Sequence, residues 1–95
     1  MTKENFINSL DYNTLPINLS EPLAALWHDA KNDWEKAHEI AQKQEGNLVY
    51  DKIHAYLHRK EGDIFNAKYW YHRINTPFPK ISLEQEWEIL LNENL

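Results

Sequence analysis

The 95-residue sequence predicts an all-α protein of about five helices, and three observations carry that reading. Apolar residues recur at three- and four-residue spacing over most of the chain. Helix-starting and helix-stopping residues punctuate it at Ser20, Asp33, Gly62-Asp63 and Ser82. Sustained alternation of apolar and polar residues is absent, as is any hairpin turn dipeptide. The expected organisation is one domain: an irregular arm over 1–19, two helical hairpins over 20–75, and a linker with a C-terminal helix over 76–95. A domain of this length buries roughly 60–65% of its unfolded surface.

Up to Leu19, single apolar anchors (Phe6, Leu10, Tyr12, Leu15) are interrupted by Asn13, Pro16 and Asn18, which leaves room for a short helix around residues 3–10 before an irregular arm. Ser20-Glu21-Pro22 then reads as an N-cap, an acid beside the positive helix end, and a proline in the first turn. Leu23, Leu26, Trp27 and Ala30 form the expected buried stripe of that helix. Asp33 caps the next, with Trp34, Ala37, Ile40 and Ala41 on one face and an end near Gln44, before Gly46. A third helix is expected over 48–60, with Val49, Ile53, Tyr56 and Leu57 inward and Gly62 as the left-handed stop. Asp63 caps a fourth, over 64–74, whose aromatic groups cover more than one face and suggest the central helix of the fold. Thr76-Pro77-Phe78-Pro79 breaks the run, and Ser82-Leu83-Glu84-Gln85 is a capping-box pattern for the last helix.

Composition narrows the function classes. The net charge of -5 and the scattered Lys and Arg argue against a nucleic-acid partner, which draws on clustered positive charge. Without cysteine there is no disulfide, thiol nucleophile or thiolate metal site, so any metal must be held by His, Asp or Glu. No segment reads as a secretory leader or a membrane span, and a cytoplasmic protein with no membrane partner is expected.

At a 30-residue offset, Ala25, His28, Asp33 and Ala37 align with Ala55, His58, Asp63 and Ala67, so two helical hairpins in sequence are expected. The run Ala55-Tyr56-Leu57 through Gly62-Asp63, with Ala67, Trp70-Tyr71 and Arg73, resembles a tetratricopeptide-type hairpin, in which small residues let two helices pack closely. More widely, Trp27-His28, Asp33-Trp34, Ala37-His38, His54-Ala55-x-Leu57-His58-Arg59, Glu61-Gly62-Asp63, Asn66-Ala67 and Tyr69-Trp70-Tyr71 together resemble a family of small bacterial all-helical proteins of uncharacterised activity. That resemblance implies the fold and a bacterial origin, and no mechanism.

The densest chemistry lies between residues 54 and 73. His54 and His58 stand four apart on a helix, so their rings project from one face in the manner of paired metal ligands, with Glu61 three residues on. Further ligands are available in His28 or Asp29 of the first helix, or His38 and His72 of neighbouring ones. On packing grounds alone, one histidine of the pair is expected half-buried and the other solvated. Arg59, Glu61, Asp63 and Asn66 surround a helix–turn–helix corner, able to hold a polar ligand against the exposed N–H groups or simply to cap the helix. Tyr69, Trp70 and Tyr71 point in three directions about 100° apart, so at least one must be exposed; Trp70 or Tyr69 is the expected contact residue.

The resulting expectation is a non-catalytic helical module, with no cofactor, that binds a protein partner or a second copy of itself. The binding set is His54, His58, Arg59, Glu61, Asn66, Tyr69 and Trp70. The alternative is a small metal- or histidine-dependent enzyme built on His54 and His58.

Overall fold

A computed structural model describes all of residues 1–95 as six α-helices with no strand: α1 Lys3–Ser9, α2 Glu21–Ala30, α3 Trp34–Ala41, α4 Leu48–Glu61, α5 Ile64–Arg73 and α6 Leu83–Asn94. A single 3-10 turn, Gln42–Gln44, extends α3. The all-α expectation holds, with α1 raising the count above five. It forms because the Thr2 hydroxyl accepts the Asn5 N–H at 3.1 Å, and because Phe6 is sealed in the core with its ring 6.1 Å from that of Trp87.

The expected caps are formed. Ser20, Asp33, Asp63 and Ser82 each accept an N–H three residues on, and Gln85 Oε1 accepts the Ser82 N–H to close the capping box. The two tight turns between helices share one construction. After α2, Asn32 takes φ +62° and the Asp33 N–H donates to the His28 carbonyl at 2.9 Å; after α4, Gly62 takes φ +88° and the Asp63 N–H donates to the His58 carbonyl at 3.1 Å. Both stops use residue types that enter the left-handed region at low cost.

Helix α4 is the hub. It packs most extensively along α5 and also touches α2, α3 and α6, whereas α2 lies chiefly along α3. This corrects the expectation that α5 would be central. Eight of the residues from Tyr50 to His58 are buried, so α4 is covered nearly all round, while α5 buries only Ala67, Trp70 and Tyr71. Two inward assignments also change: Ala30 and Val49 are exposed, and the polar Asp29 and Asp51 are buried near them. Leu26, Ile53, Leu57 and Leu91 are sealed in the main core, each contributing about 1.5–3 kcal/mol by burial.

Two buried polar networks tie the helices together. Asp29 accepts from Tyr56 Oη and Lys60 Nζ, both at 2.8 Å. Glu86 of α6 accepts from Arg59 Nη1 at 2.7 Å and from Tyr71 Oη at 2.6 Å, and Arg59 also donates to the Ile81 carbonyl. No helix is long and apolar enough to cross a membrane.

Candidate functional site

Where α3 crosses α4, three imidazoles meet. His54 and His58, one turn apart on α4, are joined by His38 of α3, and one ring nitrogen of each lies within 4.8 Å of the others. His38 Nε2 and His54 Nε2 are 3.0 Å apart, so one donates to the other. The His58 ring is fixed from behind: Nδ1 donates to Glu61 Oε2 at 2.7 Å, which makes Nε2 an acceptor, met by the Asn66 amide nitrogen in a long 3.5 Å contact. His54 and His58 are only 4% and 6% exposed, whereas His38 is half-buried. The expectation of one solvated member of the pair is therefore corrected: the two neighbouring helices cover both rings.

Two tryptophans wall the cluster. Trp34 stacks on His38 (ring centroids 4.7 Å apart, planes 10° apart) and is held there by its indole N–H, which donates to the Leu57 carbonyl at 2.8 Å. Trp70 covers His54 at 4.1 Å, and the Arg73 guanidinium lies 4.7 Å from the centre of the same indole. Burial holds His54 well below the usual histidine range, at about 4, with His58, His38 and Arg73 adding to the effect. His38 is lowered for the same first reason, partly opposed by Glu61. Burial thus favours the neutral forms of His54 and His38. One feature is costly: His54 Nδ1 is buried and has no hydrogen-bond partner, a deficit of about 1–3 kcal/mol for such a group.

The remaining sequence candidates divide cleanly. Glu61 and Asn66 join the cluster through His58. Arg59 does not: it turns across the fold to Glu86, away from the corner where it was expected, because a buried carboxylate is a stronger partner than an exposed turn. Asp29 is committed to Tyr56 and Lys60, His28 is half-buried outside the trio, and His72 is exposed. Of the further ligand candidates, His38 alone arrives. Trp70 is corrected from a contact residue to a buried wall, 6% exposed.

The outer face of α5 is different in kind. Tyr69 is 52% exposed, and Phe65, one turn earlier, is 89% exposed, with Lys68 and His72 on the same side. Phe65 was missed as a contact residue, although the spacing held the signal. Once Ala67, Trp70 and Tyr71 face inward, positions 65 and 69 must face out together. Two hollows of about 370 and 530 Å³ lie beside α6, and neither is lined by a histidine. No protein-family profile, curated protein sequence or solved structure matches the chain at a significant level.

Proposed function

We propose that the chain is a non-catalytic helical interaction module that pairs with a second copy of itself through the outer face of α5. The observation that carries this reading is the exposed aromatic pair Phe65 and Tyr69, set one turn apart on a helix whose opposite side is anchored to α4. Large aromatics left in water at such positions are favoured interface anchors. A copy is the fitting occupant because α5 begins beside Glu61 and Asp63 and ends with His72 and Arg73. Two such helices laid antiparallel about a two-fold axis bring the acidic end of each against the basic end of the other.

The frame behind this face is read as two antiparallel helical hairpins, α2–α3 and α4–α5, stacked in tetratricopeptide fashion. The matched turns at Asn32-Asp33 and Gly62-Asp63 support that reading. A histidine-dependent enzyme finds less support, because Trp34 and Trp70 cover the imidazoles and neither hollow opens onto them.

Sedimentation equilibrium from micromolar to millimolar protein tests the proposal. A monomer–dimer transition is expected, weakened at least 30-fold by Phe65→Glu, an anchor loss of about 2 kcal/mol. Strictly monomeric behaviour over the whole range, or a dimer indifferent to Phe65→Glu and Tyr69→Ser, removes it.

A further inference from the structure

We propose that His38, His54 and His58 form a binding site for a single divalent transition-metal ion of the zinc type, which clips α3 to α4. The ligand class follows from the donors. Three imidazoles with no thiolate and no directly converging carboxylate suit zinc, cobalt, nickel or copper, and do not suit calcium or magnesium, which require oxygen.

The geometry is close to what such an ion needs. Zinc–imidazole bonds of about 2.0–2.1 Å place tetrahedral donor nitrogens about 3.4 Å apart. Here two Nε2 atoms face each other at 3.0 Å, and all three donors fall within 4.8 Å, so small side-chain rotations close the set around one point. Two further observations point to a ligand and not to packing alone. The first is the orientation of His58: Glu61 holds the proton on Nδ1 and leaves Nε2 an acceptor whose one neighbour is the long 3.5 Å contact to the Asn66 amide, the carboxylate–histidine arrangement that orients and strengthens a metal-bound imidazole. The second is the meeting of His54 with His38: two Nε2 atoms face each other at 3.0 Å inside the cluster, so one lone pair is taken up by the other ring's hydrogen. A cation between them gives both Nε2 lone pairs a partner at once.

The enclosure defines the role. Trp34 and Trp70 cover two sides, His54 and His58 are buried, and neither hollow of the protein reaches the trio, so a bound ion has no open pocket beside it for a substrate. The site is therefore structural, and Glu61 is a positioning residue. The other acid-containing group, His58 with Glu61 and Asp63, is the weaker donor set: both carboxylates are exposed, and Asp63 is occupied in capping α5.

The test uses the full chain without an affinity tag, stripped with chelator and titrated with cobalt(II) and then zinc(II). One equivalent of cobalt is expected to bind with the intense visible absorption of a four-coordinate nitrogen site, to be displaced by zinc, and to raise the melting transition by several degrees at excess metal. His38→Ala, His54→Gln and His58→Gln are each expected to abolish the absorption and weaken zinc binding at least 100-fold. Glu61→Gln is expected to keep the spectrum and weaken binding about 10–100-fold, the signature of positioning. His28→Ala and His72→Ala are the internal controls and are expected to bind as the parent does. Circular dichroism of each metal-free variant separates lost ligation from lost folding, and His38→Ala, at the half-buried position, keeps the test valid if the α4 variants unfold. Absence of a stoichiometric cobalt spectrum and of any zinc-dependent stabilisation overturns the proposal, as does binding that survives all three histidine variants. Phe65→Glu leaves metal binding unchanged, so failure here and failure of the dimer reading are separate results.

Discussion

The two helix pairs, α2–α3 and α4–α5, share a turn and differ in the polar groups hung upon it. His28 and His58 both sit one turn before the stop, both offer their carbonyls to the Asp N–H that follows, and both second helices begin on an Asp cap. Yet His28 stays half-buried apart from the cluster while His58 joins it. The equivalent of His54 in the first pair is Ala24, that of Arg59 is Asp29, and that of Tyr71 is Ala41. A common backbone frame thus buries one polar residue, Asp29, in the first pair and three, Asp51, His54 and His58, in the second, and the imidazoles converge only where His38 of the first is laid against α4. The lesson is that capping chemistry sets the frame, while the substitutions upon it decide where polar groups converge.

The comparison is broken most severely at positions 29 and 59. Arg59→Met leaves the buried Glu86 carboxylate with Tyr71 alone and frees the Ile81 carbonyl, an expected loss of about 3 kcal/mol in chemical denaturation. Asp29→Asn keeps an acceptor for Tyr56 and lets the exposed Lys60 turn to water, at about 1–2 kcal/mol. A larger loss at 29 than at 59 reverses the assignment of the second pair as the polar one.

Next in size is an alkaline effect that the first pair cannot show, since its position 41 is alanine. Burial first, and then the hydrogen bond to Glu86, raise the Tyr71 hydroxyl far above its ordinary value. The unfolded chain therefore releases this proton near pH 10 while the folded chain keeps it. Stability from the group is complete below pH 10 and declines above it, by about 1.4 kcal/mol per pH unit. Tyr71→Phe is expected to remove that share of the slope in urea denaturation at pH 10 to 11, and an unchanged slope shows that Tyr71 is not the source.

The smallest effect separates the two turns. A Cβ at Gly62 meets nothing within 4 Å, so Gly62→Ala costs only the backbone strain of φ +88°, about 1 kcal/mol. Asn32→Gly, at the equivalent stop, is expected to shift the melting temperature little or slightly upward. Equal destabilisation by both variants shows that the turns do not share one construction.

Helix ends were the most legible part of this chain. Ser20, Asp33, Gly62, Asp63 and Ser82 act through hydrogen bonds to groups a few residues away, so their residue types and spacing suffice to place them. The i, i+4 pairing of His54 and His58 and the nearness of Glu61 were legible for the same reason. The identity of the third histidine was not: His28, His38 and His72 are equal candidates in one dimension, and only the crossing of α3 over α4 selects His38. Nor could periodicity say which of Tyr69, Trp70 and Tyr71 faces out, because a helix with aromatics all round has no unique inner side until a neighbour covers one. Arg59 and Glu86, 27 residues apart, found each other only when α6 folded back. The sequence by itself therefore determined the all-helical frame and its stops, which are local energies. The tertiary structure alone decided the hub, the buried histidine trio and the exposed aromatic face, because burial and convergence depend on which surfaces meet.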